Sequence, residues 1–100
     1  MEFFVSKTDY ESFQGLNAFS KICYGLAKKS GWWNHPVENG TRFMLMVSEI
    51  AEAMEGDRKG LMDDKLPHRS MLEVELADAV IRIGDLAAAM KLDVGGAIEE

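Results

Sequence analysis

Between Met71 and Met90 the chain carries a helix-period segment that leaves few options for its surroundings. Indexed at 100° per residue, Glu75, Asp78, Arg82 and Asp85 fall within a sector of about 80°. The rest of the circumference is Leu72, Val74, Leu76, Ala77, Ala79, Val80, Ile81, Ile83, Leu86, Ala87 and Ala88. A helix apolar over so much of its surface has to be packed on several sides. In a chain of 100 residues that makes it a central helix, with another subunit as a natural source of extra cover. Glu73 falls outside the acidic stripe. The Ser70-Met71-Leu72-Glu73 capping box accounts for it, the hydroxyl and the carboxylate satisfying backbone N–H groups at the helix start.

The same signals order the rest of the chain. Thr8-Asp9-Tyr10-Glu11 reads as a second capping box, opening a helix over about residues 9–29. Its core stripe is Phe13, Leu16, Phe19, Ile22, Cys23 and Leu26, and Ser30-Gly31 ends it. A loop with Trp32, Trp33, Pro36, Asn39 and Gly40 follows. The second helix is expected from about Thr41 to Glu55-Gly56. Residues 57–69 (DRKGLMDDKLPHR) are polar, with Gly60 and Pro67 as breakers, and read as a long loop or short turn. Asp93 caps a fourth helix from about Val94. No segment alternates with period two and no long repeat is present, so the expected fold is all-α in a single domain over residues 1–100.

Composition narrows the function classes. Apolar residues make up 47% of the chain, enough for a globular fold. The longest apolar run, Phe43 to Val47, is far short of the ~20 residues that span a bilayer. Met1-Glu2-Phe3-Phe4 lacks the basic start of a signal peptide, and the single Cys23 fits a reducing cytoplasm and a place in the core. A net charge of −6 argues against a nucleic-acid polymer as partner. It leaves room for a small phosphate ligand, because a bound divalent cation reverses the local sign.

Helix two repeats the design of helix three. Residues three apart project about 60° apart and ~4.5 Å along the axis, so Glu49 and Glu52 stand side by side. Phe43, Met46, Val47, Ile50 and Met54 cluster on roughly the opposite face. Two such pairs on neighbouring antiparallel helices would converge four carboxylates, and hard cations such as Mg²⁺ take oxygen donors of this kind. The bland alternative is a solvated acidic stripe, with Asp78 and Arg82 as an i,i+4 ion pair worth a few tenths of a kcal/mol. A di-iron bundle needs Glu-x-x-His pairs, and His35 and His68 are not placed to supply them.

With Glu49-Ile50-Ala51-Glu52, a spacer of twenty-two residues and Glu75-Leu76-Ala77-Asp78, the chain resembles the MazG-like all-α nucleoside triphosphate pyrophosphohydrolases. The flanks SEIAEAMEGDRKG and DKLPHR…EVELADAVIRIGDLA extend the likeness over about residues 40–98. The resemblance implies a four-helix bundle that assembles as a homodimer or homotetramer. It implies Mg²⁺-dependent cleavage, with Mn²⁺ as a substitute, between the α- and β-phosphates of a nucleoside triphosphate. By position Glu49, Glu52, Glu75 and Asp78 match the family's metal ligands, and Glu49 is the candidate to take the proton of the attacking water.

Relatives often carry phosphate-facing Lys, Asn and Arg on the fourth helix, whereas this sequence stops at Glu99-Glu100. Either the chain is truncated or Arg82, Lys59, Lys65, Arg69 or Lys28 does that work. Each has a plain reading as a solvated charge, and Arg82 stands out by sharing the acidic stripe. Trp32 and Trp33 could stack a base, worth about 1–3 kcal/mol, or pack in the core or an interface. His68 could touch a phosphate. Two other functions compete: a phosphoribosyl-ATP pyrophosphatase, whose own recognition motifs are not evident here, and a non-catalytic helical module for oligomerisation or regulation. The full carboxylate quartet speaks against the module.

Overall fold

The computed structural model describes residues 4–100, and among them the regular structure is four helices with no strand. They are α1 (Lys7–Lys29), α2 (Asn39–Lys59), α3 (Met71–Ala89) and α4 (Val94–Glu99). None is long and apolar enough to cross a membrane. The all-helical expectation holds, and so do the caps of the last two helices. Ser70 Oγ accepts from Glu73 N while Glu73 returns the bond to Ser70 N, both at 3.1 Å. Asp93 Oδ1 accepts from Gly96 N at 2.8 Å.

The start of α1 differs. Ser6, not Thr8, is the N-cap, with Asp9 as its reciprocal partner. Ser6-Lys7-Thr8-Asp9 offers the same hydroxyl-to-carboxylate spacing two residues earlier, and the earlier box adds a further half-turn of helix. Helix α2 is longer at both ends than its sequence signals indicate. It takes in Asn39 and Gly40 at the start, and it continues through Gly56 to Lys59. Gly60 closes it in the left-handed conformation (φ 63°), with its N–H bonded to the Asp57 and Gly56 carbonyls.

Gly56 does not break α2 because it serves packing instead. A Cβ there would meet the Met71 Cβ and Cγ at 2.8 Å and the Leu72 nitrogen at 3.2 Å. Gly56→Ala should therefore destabilise the protein by about 1 kcal/mol, since overpacking costs of 1–3 kcal/mol exceed the ~1 kcal/mol of helix propensity that alanine brings. Gly15, mid-helix in α1 with open space around its Cβ position, is the control. Gly15→Ala should stabilise by up to about 1 kcal/mol, and urea midpoints will show whether the two signs are opposite.

The chain forms two compact units, the first running to His35 and resuming at Gly84–Glu100, the second spanning Pro36–Ile83. In the first, α1 packs against α4. Asn17 clamps them: its Nδ2 donates to Asp93 Oδ1, and its Oδ1 accepts from Gly95 N at 2.9 Å. Cys23, Leu86 and Ala87 are buried here, as expected for Cys23. Burial pushes the Cys23 thiol above its ordinary range, with the Asp85 carboxylate adding to the effect.

The expected α1 stripe is only partly covered, with Ile22 and Leu26 61% and 59% exposed, and the second unit departs from expectation in the same way. Phe43, Val47, Ile50 and Met54, the intended core stripe of α2, are 50–66% exposed. On α3, Leu76, Val80 and Ile83 are also exposed. The fully buried apolar side chains are small here, Ala53 and Ala79. The periodicity identifies an apolar face correctly, but periodicity reports only that a face seeks cover, not that the same chain provides it.

Candidate metal centre

The second unit positions the carboxylates. Residues 61–70 leave α2 and return to α3 through a loop closed at its neck, where Met71 N donates to Leu61 O at 3.0 Å and Met62 bridges to Ser70. This closure, with the Gly56 contact to Met71, sets the register between the two helices. In that register Glu49 and Glu52 of α2 and Glu75 of α3 each place a carboxylate oxygen within 4.8 Å of the others. Asp78 is not part of that three-way group, so three of the four expected ligands converge. It is close enough to feel them: burial raises its pKa first, then the Glu49 charge, with Arg82 opposing and Asp63 and Glu52 adding.

Three anionic groups at this separation repel one another. Arg82 relieves part of the strain, its Nε donating to Glu49 Oε1 at 3.0 Å. The bond crosses from α3 to α2, while the Arg82 charge also acts on Asp78 of its own helix. Glu49 is itself buried at 9% exposure, where a charge-assisted bond is stronger than at the surface. Glu75 has no such relief. Its Oε2 is buried without a hydrogen-bond partner, and its pKa is raised from 4.5 to about 8, first by a hydrogen bond shared with Glu49, then by burial and by Glu52.

An orphaned buried carboxylate oxygen is costly. A proton offsets that cost, and so does a cation. The donor set is all oxygen, the kind hard divalent ions take, and cis oxygens around Mg²⁺ lie ~2.9 Å apart at 2.0–2.1 Å bond lengths. The three oxygens lie within 4.8 Å of one another, so Glu49, Glu52 and Glu75 could hold a metal ion.

The sign of the pH effect follows. Glu75 in the fold binds its proton more tightly than in the unfolded chain, so its contribution to stability is complete below about pH 4.5 and is lost as pH rises through about 8. Metal-free protein should therefore melt at progressively lower temperature between about pH 5 and 9, with Glu75→Gln flattening that slope. A divalent ion should reverse it, because it competes with the proton. Calorimetry in chelator and in excess Mg²⁺ measures both.

Beside the cluster is an open cleft of about 480 Å³ lined by Glu52, Glu75, Asp63, Asp64, Lys65 and neighbouring Leu61, Met62 and Met71. Of the candidate phosphate-binding cations, Lys65 lines it. Lys59 of α2 is paired with Glu55 at 2.6 Å, and Arg69 in the loop before α3 with Glu73 at 3.8 Å, both pairs on the exposed surface. Trp32, Trp33 and Lys28 belong to the first unit. There Trp33 Nε1 donates to buried Asp85 Oδ1 at 2.9 Å and its ring meets Tyr24 edge-on, while Lys28 stands over the Tyr24 ring at 5.0 Å. Asp85, a member of the acidic stripe by angle, is thus a buried acceptor for an indole.

Sequence reasoning misses Asp63. It is 7% exposed, and its Oδ2 accepts from Lys65 N at 3.0 Å and Leu66 N at 2.8 Å. An aspartate bonding to the backbone two and three residues on is a common turn device. Asp63 and Asp64 are adjacent, however, and the sequence does not say which of the two turns inward. Set against family models, curated proteins and solved structures, the chain matches none. The functional reading therefore rests on the carboxylate geometry of α2 and α3 and on the motif that they carry.

Proposed function

We propose that this chain is a Mg²⁺-dependent nucleoside triphosphate pyrophosphohydrolase, converting an NTP or dNTP to the monophosphate and pyrophosphate. The observation that carries the reading is the convergence of Glu49, Glu52 and Glu75 from two helices around a buried carboxylate oxygen of Glu75 that has no partner. Its spacing is that of the E-x-x-E and E-x-x-D motif, which extends the ligand set to Asp78. A solvated acidic stripe would have no reason to bury one of its oxygens unsatisfied.

Bound at these residues, Mg²⁺ would orient the triphosphate, neutralise its charge and acidify a water. The chain's own groups do the rest. Arg82 fixes the Glu49 carboxylate, which is then held in one orientation for accepting the water's proton. The water oxygen adds to phosphorus, the bridging bond between the α- and β-phosphates breaks, and pyrophosphate leaves. Such an enzyme suits the clearance of surplus or damaged nucleotides in a cytoplasmic pool.

The protein also acts as a homodimer or homotetramer in this reading. Support comes from the exposed α2 and α3 stripes: among the described residues no large side chain is fully buried, and a second copy is the simplest cover for a self-complementary apolar face.

The test is a panel of NTPs, dNTPs and phosphoribosyl-ATP with Mg²⁺, Mn²⁺ or chelator, read as pyrophosphate release. Release from nucleoside triphosphates with either metal and none in chelator is expected. Release from phosphoribosyl-ATP alone would move the reading to that activity, and no release from any substrate would overturn catalysis.

A further inference from the structure

Among the described residues, α1 has an apolar face that its own unit leaves uncovered. Indexed at 100° per residue, Glu11, Gly15, Ala18, Ile22, Gly25 and Lys29 fall within a sector of about 80°, and all six are exposed. Exposed Phe19 and Leu26 flank that sector on one side. Buried Ser20 and Cys23 stand about 120–180° round the helix, against Gly84 of α3. The six residues recur at i, i+4, i+7, i+11, i+14 and i+18, the spacing of a helix–helix seam. Gly15 and Gly25 have open space where a Cβ would stand. A lone surface leucine needs no cover, but a continuous stripe does.

The order of the residues indicates what covers it. Glu11 and Lys29, Gly15 and Gly25, and Ala18 and Ile22 are each centred on residue 20. An antiparallel copy of the same helix, related by a two-fold axis at that level, sets Glu11 against the partner's Lys29 at both ends. The glycines then oppose each other and let the backbones approach, and Ile22 packs onto the partner's Ala18. A parallel pair would oppose like charges, which repel. The ion pairs of the described residues include neither Glu11 nor Lys29. The helix dipole alone favours an acid near the start and a lysine near the end. It gives no reason for Ile22 and Leu26 to stand in water between them.

We propose that α1 pairs antiparallel with α1 of a second copy along this seam, with Glu11 against the partner's Lys29. The contact is separate from the α2 and α3 stripes of the other unit. With three large side chains per helix, one such pair is smaller than a standard interface, and it does not hold single chains together at micromolar concentration. Two pairs acting at once do, because the second forms at high effective concentration. The seam therefore joins two assembled pairs into a homotetramer, a step that rests on the assembly reading above.

Sedimentation velocity of the full chain across micromolar concentrations tests this. The parent should be a four-chain species that dissociates to two chains on dilution, and Ile22→Glu should stay at two chains throughout. Glu11→Lys and Lys29→Glu should each raise the dissociation constant of that step about tenfold or more, since four exposed pairs turn from attraction to repulsion. Glu11→Lys combined with Lys29→Glu restores opposite charges and should return to within about threefold of the parent. High salt should shrink these differences. The three positions are exposed, and circular dichroism establishes that each variant is folded.

A parent that stays at two chains at every concentration overturns the proposal and leaves the α2 and α3 reading standing. A double variant no better than the single ones also overturns it, because the charges would then be acting on the helix dipole alone. Assembly reduced by Ile22→Glu and untouched by Val47→Asp keeps the α1 pair and sinks the α2 and α3 reading.

Discussion

Glu52→Gln is expected to lower turnover by about a hundredfold or more while leaving the helical circular dichroism intact. Disturbing even groups that only orient metal ligands typically costs about 10–100-fold, and Glu52 is itself one of the three convergent carboxylates. It is exposed, so its loss opens no cavity. Glu75→Gln should be as inactive, with an added and opposite effect on stability. Its Oε2 is buried without a partner, and in metal-free protein above about pH 8 it is an uncompensated charge beside Glu49 and Glu52. A neutral amide that donates to those neighbours removes the repulsion. Metal-free Glu75→Gln should thus melt several degrees higher at about pH 8.5, on the scale of 4–8 °C per kcal/mol for a chain of this size. The stabilisation that Mg²⁺ gives the parent should vanish. Glu73→Ala is the control: a lost cap, lower stability by ~1 kcal/mol, unchanged turnover. If Glu52→Gln and Glu75→Gln both keep full activity, the metal assignment is wrong.

That contrast between Glu73 and Glu75 is legible in the sequence alone, because wheel angle separates a cap from a stripe. So are the helix count, the Ser70 and Asp93 caps, and the two carboxylate pairs, since each follows from local spacing. The Ser6 cap is not, because Ser6 and Thr8 both stand three residues before an acid. Gly56 reads as a helix end, since a glycine's packing against Met71 is a tertiary fact. Asp63 is hidden in a polar run for the same reason, and so is the Arg82 bond to Glu49 across helices. The convergence of three carboxylates rather than four depends on the rotation of α2 against α3, which no one-dimensional pattern encodes.

The apolar faces carry the second large effect. Val47→Asp or Ile50→Asp should convert an assembled protein to a species of one chain, 11.2 kDa, with reduced helicity and a lower melting temperature. Phe43, Val47, Ile50 and Met54 recur at the i, i+4, i+7, i+11 spacing of a helix–helix seam, yet each is at least half exposed. Fully burying such a side chain is worth about 1.5–3 kcal/mol, so covering the remaining half of four contributes about 3–6 kcal/mol from each copy. In a two-fold interface the stripe counts twice, a sum comparable with the roughly 4–15 kcal/mol that association costs. The exposed Leu76, Val80 and Ile83 on α3 add to that sum. An aspartate in the seam removes one anchor and adds a charge that assembly must desolvate, raising the dissociation constant by about a hundredfold. Light scattering on size-exclusion fractions reads the mass directly. The carboxylates sit on the roughly opposite face of α2, so the substitution leaves the carboxylate cluster untouched. Turnover lost together with the assembly would mean that the neighbouring copy completes the site, and turnover retained by the single chain would place the site within it. A parent protein that is a stable, fully helical monomer at micromolar concentration would show instead that the apolar stripes need no cover from a second copy.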